Sequence, residues 1–184
     1  MSETIWHITW GTYGDRLHGD ERPTVDRSHN TPGTPFLPPN PAREQYERSS
    51  LRGNVVHLTQ DQMEFIERTI PTICARGDWR LVTCAAGPNH VHVLLACDSR
   101  IHGKQARQWL KRWLGEAMTK QWPPVSPDVR TSWWAEGGST KAVKDESYFA
   151  NAKRYIEDQR VDAHPGRNPG RHAPARGSGS VVDP

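Results

Sequence analysis

The spacing of hydrophobic residues along this chain changes several times, and each change predicts a new element. Side chains of alternating character from Thr4 to Thr12 predict a first β-strand. Apolar residues recur at helical spacing from Leu58 to Gly77 and predict a helix. The apolar runs Trp79 to Ala86 and His90 to Cys97 flank a Gly-Pro-Asn turn, so we expect an antiparallel hairpin.

The second half of the chain adds two helices and a short strand. An apolar stripe predicts a long helix from Lys104 to about Lys120. A fourth strand is expected from Thr131 to Ala135, with the flexible turn Gly137-Gly138-Ser139 after it. The last helix should begin near Asp145, a good N-cap residue, and continue to about Arg160.

Local signals define the ends of the first long helix. Thr59 and Gln62 fit a capping box at its start. Pro71 should kink the helix, and Gly77 should end it in the left-handed conformation.

Two segments lack such periodicity. The proline-rich stretch from Gly11 to about Gly53 is typical of an insertion that either has a function or simply packs over the sheet, with a short helix after Asn40 and Pro41. From Val161 onward, small, polar and charged residues dominate and predict a disordered tail. The expected organisation is one domain over 1–160, an insertion at about 11–53 and a tail over 161–184.

The order of these elements predicts an α+β fold. Strand, helix, strand, strand, helix, strand is the ferredoxin-like or RRM-like βαββαβ arrangement, an antiparallel sheet with helices on one face. The last helix follows this core. The strand beginning at His90 would then be central in the sheet.

Composition narrows the class of protein. The 184 residues carry a formal net charge of +3, which is compatible with a nucleic-acid partner without demonstrating one. Cys74, Cys84 and Cys97 form an odd set without CxxC spacing, so we expect buried thiols in a reducing compartment. Because no apolar run is long enough to span a bilayer, we expect a cytoplasmic protein without a membrane partner.

The strongest chemical signal is the histidine pair His90 and His92. Residues two apart on a strand project from the same face, so the two imidazoles should lie side by side. They could bind a divalent metal, or they could be two unrelated polar positions on a solvated face. The pattern alone leaves both interpretations open.

A second candidate cluster lies on the last helix. Tyr155 and Gln159 are four residues apart and therefore neighbours on one helical face. Simple packing would explain them, but beside His90 and His92 they suit one reaction. Two imidazoles and one amide oxygen can hold a metal with open positions for a phosphate, and a tyrosine hydroxyl can attack that phosphate.

Four sequence pieces, in this order, carry a resemblance to a known family: WHITWGTYG, NHVHVLL, WWAEGGSTK and KRYIEDQ. The chain resembles the HUH single-tyrosine transposases of the insertion sequence 200/605 type, with the related REP-associated tyrosine transposases. The resemblance covers about Ile5 to Gln159. The long segment from Gly11 to Gly53 and the tail depart from the shortest members.

The resemblance implies an enzyme that transposes DNA. Tyr155 would be the nucleophile, leaving a 5′-phosphotyrosine and a free 3′-OH, with the strands rejoined later. His90, His92 and Gln159 would bind a divalent metal, Mg²⁺ or Mn²⁺. The expected partners are single-stranded DNA at hairpin-forming element ends and a second copy of the chain in a homodimer. Five cations are candidates for DNA contacts, with a solvated surface as the alternative: Lys104, Arg107, Lys111, Arg112 and Lys141.

Two other functions compete with a transposase. A non-catalytic or host-retained protein of the same fold could bind single-stranded nucleic acid by stacking bases on exposed sheet aromatics. The tryptophans available for this are Trp6, Trp10, Trp133 and Trp134. A structural zinc site could use His90, His92, Cys84 and Cys97, although their spacing fits no usual closed zinc site.

Overall fold

Four strands and four helices make up the described part of the protein. The structure is a computed structural model that describes residues 2–20, 38–124 and 132–160. The strands are β1 (Glu3–Gly11), β2 (Arg80–Gly87), β3 (His90–Asp98) and β4 (Ser139–Ala142). The helices are α1 (Pro41–Ser49), α2 (Gln60–Arg76), α3 (Gly103–Gln121) and α4 (Glu146–Glu157).

The four strands form one antiparallel sheet in the order β2-β3-β1-β4. This order, with α2 and α3 as the connecting helices, is the ferredoxin-like arrangement, so the predicted fold class is confirmed. Strands β3 and β1 are central. Their register pairs Thr9 with His92 and Gly11 with His90.

The main core lies between one face of the sheet and helices α2 and α3. Alternate residues of β1 and β3 point into it, and all of the following are almost fully buried: Ile8, Trp10, Val91, Val93, Leu95, Ile66, Ile70, Leu110 and Leu114. A smaller cluster of Ala85, Leu94 and Ile156 docks α4 on the opposite face. Helix α4 therefore covers the face that α2 and α3 leave open.

The helix boundaries follow the capping signals, with one exception. Both hydrogen bonds of the capping box between Thr59 and Gln62 are present, and α2 continues through Pro71. The prediction that Gly77 would be left-handed is wrong, since its φ is −86°. Asp78 takes the positive φ of 55° instead, one residue later. A side chain at Gly77 would meet the indole of Trp79 at 2.6 Å, so close packing explains the glycine.

The predicted fourth strand is placed wrongly. Trp134 makes only an isolated bridge to Thr12, and the ladder strand is Ser139–Ala142, which pairs with β1. Trp133 and Trp134 are buried in the core rather than arranged in a ladder. Two large apolar side chains resembled a strand, whereas the actual strand is polar and lies at the edge of the sheet. Thr131, the first residue of the predicted strand, lies outside the described residues.

The segment that follows the insertion is held against its first residues and against the turn before β3. The backbone N–H of Val56 donates to the carbonyl of Tyr13, and that of Leu58 donates to the carbonyl of Pro88. The predicted short helix is confirmed as α1, with Asn40 as its N-cap. The remainder of the insertion, 21–37, and the predicted tail, 161–184, lie outside the described residues.

The three cysteines are buried free thiols, as predicted. Burial raises the pKa of Cys74 and of Cys84 to about 12 and that of Cys97 to about 11. Within 2–20, 38–124 and 132–160, no helix is both long and apolar enough to cross a membrane.

Candidate active site

The two histidines predicted from the sequence lie together on the α4 face of the sheet. Their ring centroids are 4.8 Å apart and the rings are nearly perpendicular, at 82°. Val91 between them is fully buried in the opposite core, which confirms the predicted alternation of faces. From the neighbouring strand β1, His7 and Thr9 join them on the same face.

Helix α4 brings the other two predicted residues to this histidine pair. Ile156 is completely buried against the sheet and fixes the helix in place. The ring of Tyr155 lies edge-on to His92, with centroids 5.4 Å apart, and the side chain is 47% exposed. Gln159 follows the end of α4, and its Oε1 is 3.0 Å from Nε2 of His90.

His92 is held in its neutral form. Its Nδ1 lies 2.8 Å from the hydroxyl of Thr9 and 3.4 Å from Nε2 of His7. Burial, followed by the charges of His90 and His7, lowers the pKa of His92 to about 3. A neutral imidazole is the form that binds a metal, so the lowered pKa of His92 is compatible with the predicted ligand role.

A histidine that the sequence interpretation did not include extends this polar cluster. The Nδ1 of His7 is 3.0 Å from the hydroxyl of Tyr148, the tyrosine two turns before Tyr155 on α4. Burial, followed by the charge of Lys141, lowers the pKa of His7. The alternation of β1 already grouped His7 with Thr9, and that was the available signal for both residues.

His90 is held from its other side by an asparagine. Its Nδ1 is 2.7 Å from Oδ1 of Asn89, and Nδ2 of Asn89 donates to Oδ2 of Asp15 at 2.9 Å. Gly87 makes room for the ring, because a Cβ there would meet Cε1 of His90 at 2.7 Å. Neither Asp15 nor Asn89 was predicted as a site residue, and Asp15 lies in the aperiodic insertion.

The atoms of His90 and Gln159 fit a cation. With the proton on Nδ1, the Nε2 of His90 presents a lone pair to Oε1 of Gln159, which is also an acceptor. In that tautomer a cation close to both acceptors would be favourable, whereas a hydrogen on Nε2 would make the contact an ordinary hydrogen bond. In the described ranges, no three His, Cys, Asp or Glu residues converge on a metal position. The third ligand that the sequence predicts is the amide oxygen of Gln159, and that role stays a prediction.

A model of one family matches most of this domain. The model of IS200-like transposases matches residues 50–159, which is more than half of the chain and includes all four candidate site residues. The chain belongs to the IS200-like transposase family. The matched segment excludes His7 and Thr9 of β1, and it also excludes Asp15.

Two solved structures are similar to this transposase at low identity. A protein of Deinococcus radiodurans R1 described as a transposase is 16% identical, with 87% of this chain and 93% of that chain covered and a TM-score of 0.45. A REP-associated tyrosine transposase bound to a REP hairpin is 10% identical, with 87% and 68% covered and a TM-score of 0.45. The comparison with curated protein sequences finds no match.

The five basic residues that the sequence suggests as DNA contacts have different environments in this transposase. Arg107 donates to the carbonyl of Gly138, and Lys111 donates to the carbonyls of Ala135 and Glu136. Burial, followed by the charge of Arg107, lowers the pKa of Lys111 to about 8. Both cations thus hold the loop before β4, and their role in DNA binding stays a prediction.

The other three cations are exposed on two sides of the sheet. Lys104 and Arg112 lie on α3, which packs on the face opposite the histidines, and Arg112 pairs with Glu116. Lys141 lies on β4 directly opposite His7 in the register, so it shares the histidine face. Of the five, Lys141 is the cation on the site's own face.

Neither the tryptophan platform for stacking bases nor the structural zinc site fits the geometry of the described residues. Trp10, Trp133 and Trp134 are buried and Trp6 packs against the same core, so they form no exposed platform for bases. Cys84 is opposite Val93 in the register and lies on the core face, away from His92. The zinc site with Cys84 and Cys97 is therefore wrong.

Proposed function

We propose that this IS200-like transposase is a metal-dependent enzyme that nicks single-stranded DNA through a 5′-phosphotyrosine and then rejoins strands. The observation that supports the proposal is the meeting of an exposed tyrosine with two imidazoles and an amide oxygen. The ring centroids of Tyr155 and His92 are 5.4 Å apart, and Oε1 of Gln159 is 3.0 Å from Nε2 of His90.

The proposed divalent metal, Mg²⁺ or Mn²⁺, would be held by His90, His92 and Gln159. When bound, it would polarise a phosphoryl oxygen and offset its negative charge. Imidazole ligands suit Mn²⁺ better than Mg²⁺, although availability often decides which metal a site carries. The neutral state of His92, caused by its burial, supports this ligand role.

Tyr155 would carry the covalent step. Its Oη forms a bond to phosphorus, the bond from phosphorus to O3′ breaks, and the departing oxygen takes up a proton as a free 3′-OH. The phosphotyrosine keeps the energy of the broken bond, so a later attack by a 3′-OH can restore the strand. The 47% exposure of Tyr155 supports access by DNA, whereas the hydroxyl of Tyr148 is engaged with His7.

The proposed substrate is single-stranded DNA from hairpin-forming element ends, and the proposed assembly is a homodimer. Both proposals rest on the four sequence pieces that resemble the HUH transposases. The exposed Lys141 beside the site offers a positive charge to a phosphate backbone.

The test is adduct formation with a labelled single-stranded hairpin in Mn²⁺. We expect a covalent complex that survives denaturing electrophoresis, disappears with a chelator and does not form with Tyr155→Phe. Tyr148→Phe is the matched control and should still form the complex. An adduct of undiminished yield with Tyr155→Phe would contradict the proposed nucleophile, and one that forms in chelator would contradict the metal.

A further inference from the structure

A chain of three side chains runs from the insertion to the proposed metal site. The carboxylate of Asp15, whose side chain is only 10% exposed, accepts a hydrogen bond of 2.9 Å from Nδ2 of Asn89. The carbonyl oxygen of the same amide, Oδ1, lies 2.7 Å from Nδ1 of His90. Each contact constrains the next.

The direction of these bonds follows from the chemistry of the groups. An ionised carboxylate only accepts, so Asn89 must turn its NH₂ group toward Asp15 and its oxygen toward His90. An amide oxygen also only accepts, so Nδ1 of His90 must carry the hydrogen. In the neutral ring, Nε2 then keeps its lone pair.

We infer that Asp15 and Asn89 are positioning residues that hold His90 in the Nδ1–H tautomer, so that Nε2 is left to the metal. The inference rests on the proposed function for the metal, but not for the tautomer. A hydrogen bond on the second ring nitrogen commonly fixes a metal-binding histidine in this way.

The Nε2–H tautomer of His90 also has a hydrogen-bond acceptor nearby, so the Asp15–Asn89 pair is needed to favour the Nδ1–H tautomer. Oε1 of Gln159 is an acceptor 3.0 Å from Nε2 of His90. With the hydrogen on Nε2, His90 would donate to Gln159, and two proposed ligands would bond to each other. The Asp15–Asn89 pair disfavours this hydrogen bond, because it requires the hydrogen of His90 to be on Nδ1.

Backbone contacts fix the position of this pair. The N–H of Thr12 donates to the carbonyl of Asn89 at 3.0 Å, and the N–H of Leu58 donates to that of Pro88 at 2.7 Å. The turn between β2 and β3 is thus held by one residue at the start of the insertion and by another a few residues after its end. Oδ1 of Asp15 also lies 3.6 Å from Nδ1 of His57, beyond the second end. The insertion contributes Asp15 to the site itself rather than only covering the sheet.

The first test reads the tautomer directly in metal-free protein. Nitrogen-15 NMR of the imidazoles, at a pH about two units above the ordinary histidine pKa, should show the hydrogen of His90 on Nδ1. In Asn89→Ala it should move to Nε2. A hydrogen on Nε2 in the wild type, or no change in the variant, would overturn the inference whatever the protein does with metal or DNA.

The second test uses Mn²⁺ affinity, measured by electron paramagnetic resonance of the free ion. Asn89→Ala should weaken binding about 10- to 100-fold, as expected for loss of a bond behind a ligand. Asn89→Asp with Asp15→Asn exchanges the two groups, keeps both hydrogen bonds and should restore affinity. Asn151→Ala, on exposed α4 surface, is the matched control and should change nothing.

The outcomes separate this inference from the proposed function. If the wild type binds no Mn²⁺ but the tautomer moves as expected in Asn89→Ala, the metal proposal fails while the positioning role stands. If the wild type binds Mn²⁺ and Asn89→Ala binds it equally well, the positioning role fails while the metal proposal stands. Failure of the double variant to recover affinity also contradicts the positioning role.

Discussion

The two faces of the sheet use the same strands for different purposes. On the α2 and α3 face, Val91 and Val93 are completely buried in a large apolar core. On the α4 face, His92 stands between them in sequence and meets Thr9, His7 and Tyr155 instead. Because side chains alternate along a strand, successive residues of β3 point to the apolar core and to the candidate site.

The helices on the two faces are also attached differently. Helices α2 and α3 bury several large apolar side chains each, whereas α4 docks through a small cluster around Ile156. Loss of a side chain on the α4 face should therefore affect the reaction, and loss of one on the other face should affect stability.

His92→Ala should abolish adduct formation with hairpin DNA and Mn²⁺, a loss of at least about 100-fold, because a proposed ligand is removed. The free energy of unfolding in metal-free buffer should fall by no more than about 2 kcal/mol, because His92 is buried but lies outside the main core. Electrophoresis and urea unfolding measure the two quantities. A large loss of stability would break the division between the faces.

Leu110→Ala should have the opposite profile. This fully buried α3 residue lies in the main core, so its truncation should lower the free energy of unfolding by about 2–5 kcal/mol. At a temperature where the variant remains folded, adduct formation should stay within about twofold of the wild type. Activity lost in proportion to stability would argue that the site depends on the opposite core.

Acid should destabilise the metal-free protein through His92. Its folded-state pKa is about 3, and its unfolded pKa is about 6.5. Between these values the unfolded state binds more protons, so stability is lost as the pH falls through that window. His92→Gln should reduce the slope of unfolding free energy against pH by up to about 1.4 kcal/mol per unit near the middle of the window. Equal slopes in urea titrations of both proteins would refute this.

The smallest predicted effect is a difference in DNA binding between substitutions of two exposed lysines. Lys141→Gln, on the site face, should weaken binding of hairpin DNA and lower the slope of log affinity against log salt by about 1. Lys104→Gln, at the start of α3, should have a smaller effect on both. Fluorescence anisotropy at several salt concentrations measures them. Equal losses would mean that DNA contacts both sides of the sheet.

The sequence predicted the fold class, the capping box of α2 and the faces of His90 and His92, because each depends on local spacing. It misplaced β4, since Ser139–Ala142 is a polar edge strand and Trp133–Trp134 resembled one. It missed the bond between Asn89 and Asp15, which joins residues 74 positions apart through a loop without periodicity. Charge spacing on α3 could not tell that Arg107 and Lys111 meet loop carbonyls.

In the proposed function, the exposed tyrosine beside the histidine pair performs the covalent step. The most direct measurement is tandem mass spectrometry of the protein–DNA adduct after digestion of the protein and the DNA. We predict a nucleotide phosphate attached to the peptide that contains Tyr155, and none on Tyr148. Attachment to Tyr148, or to a residue on the α2 and α3 face, would contradict the account.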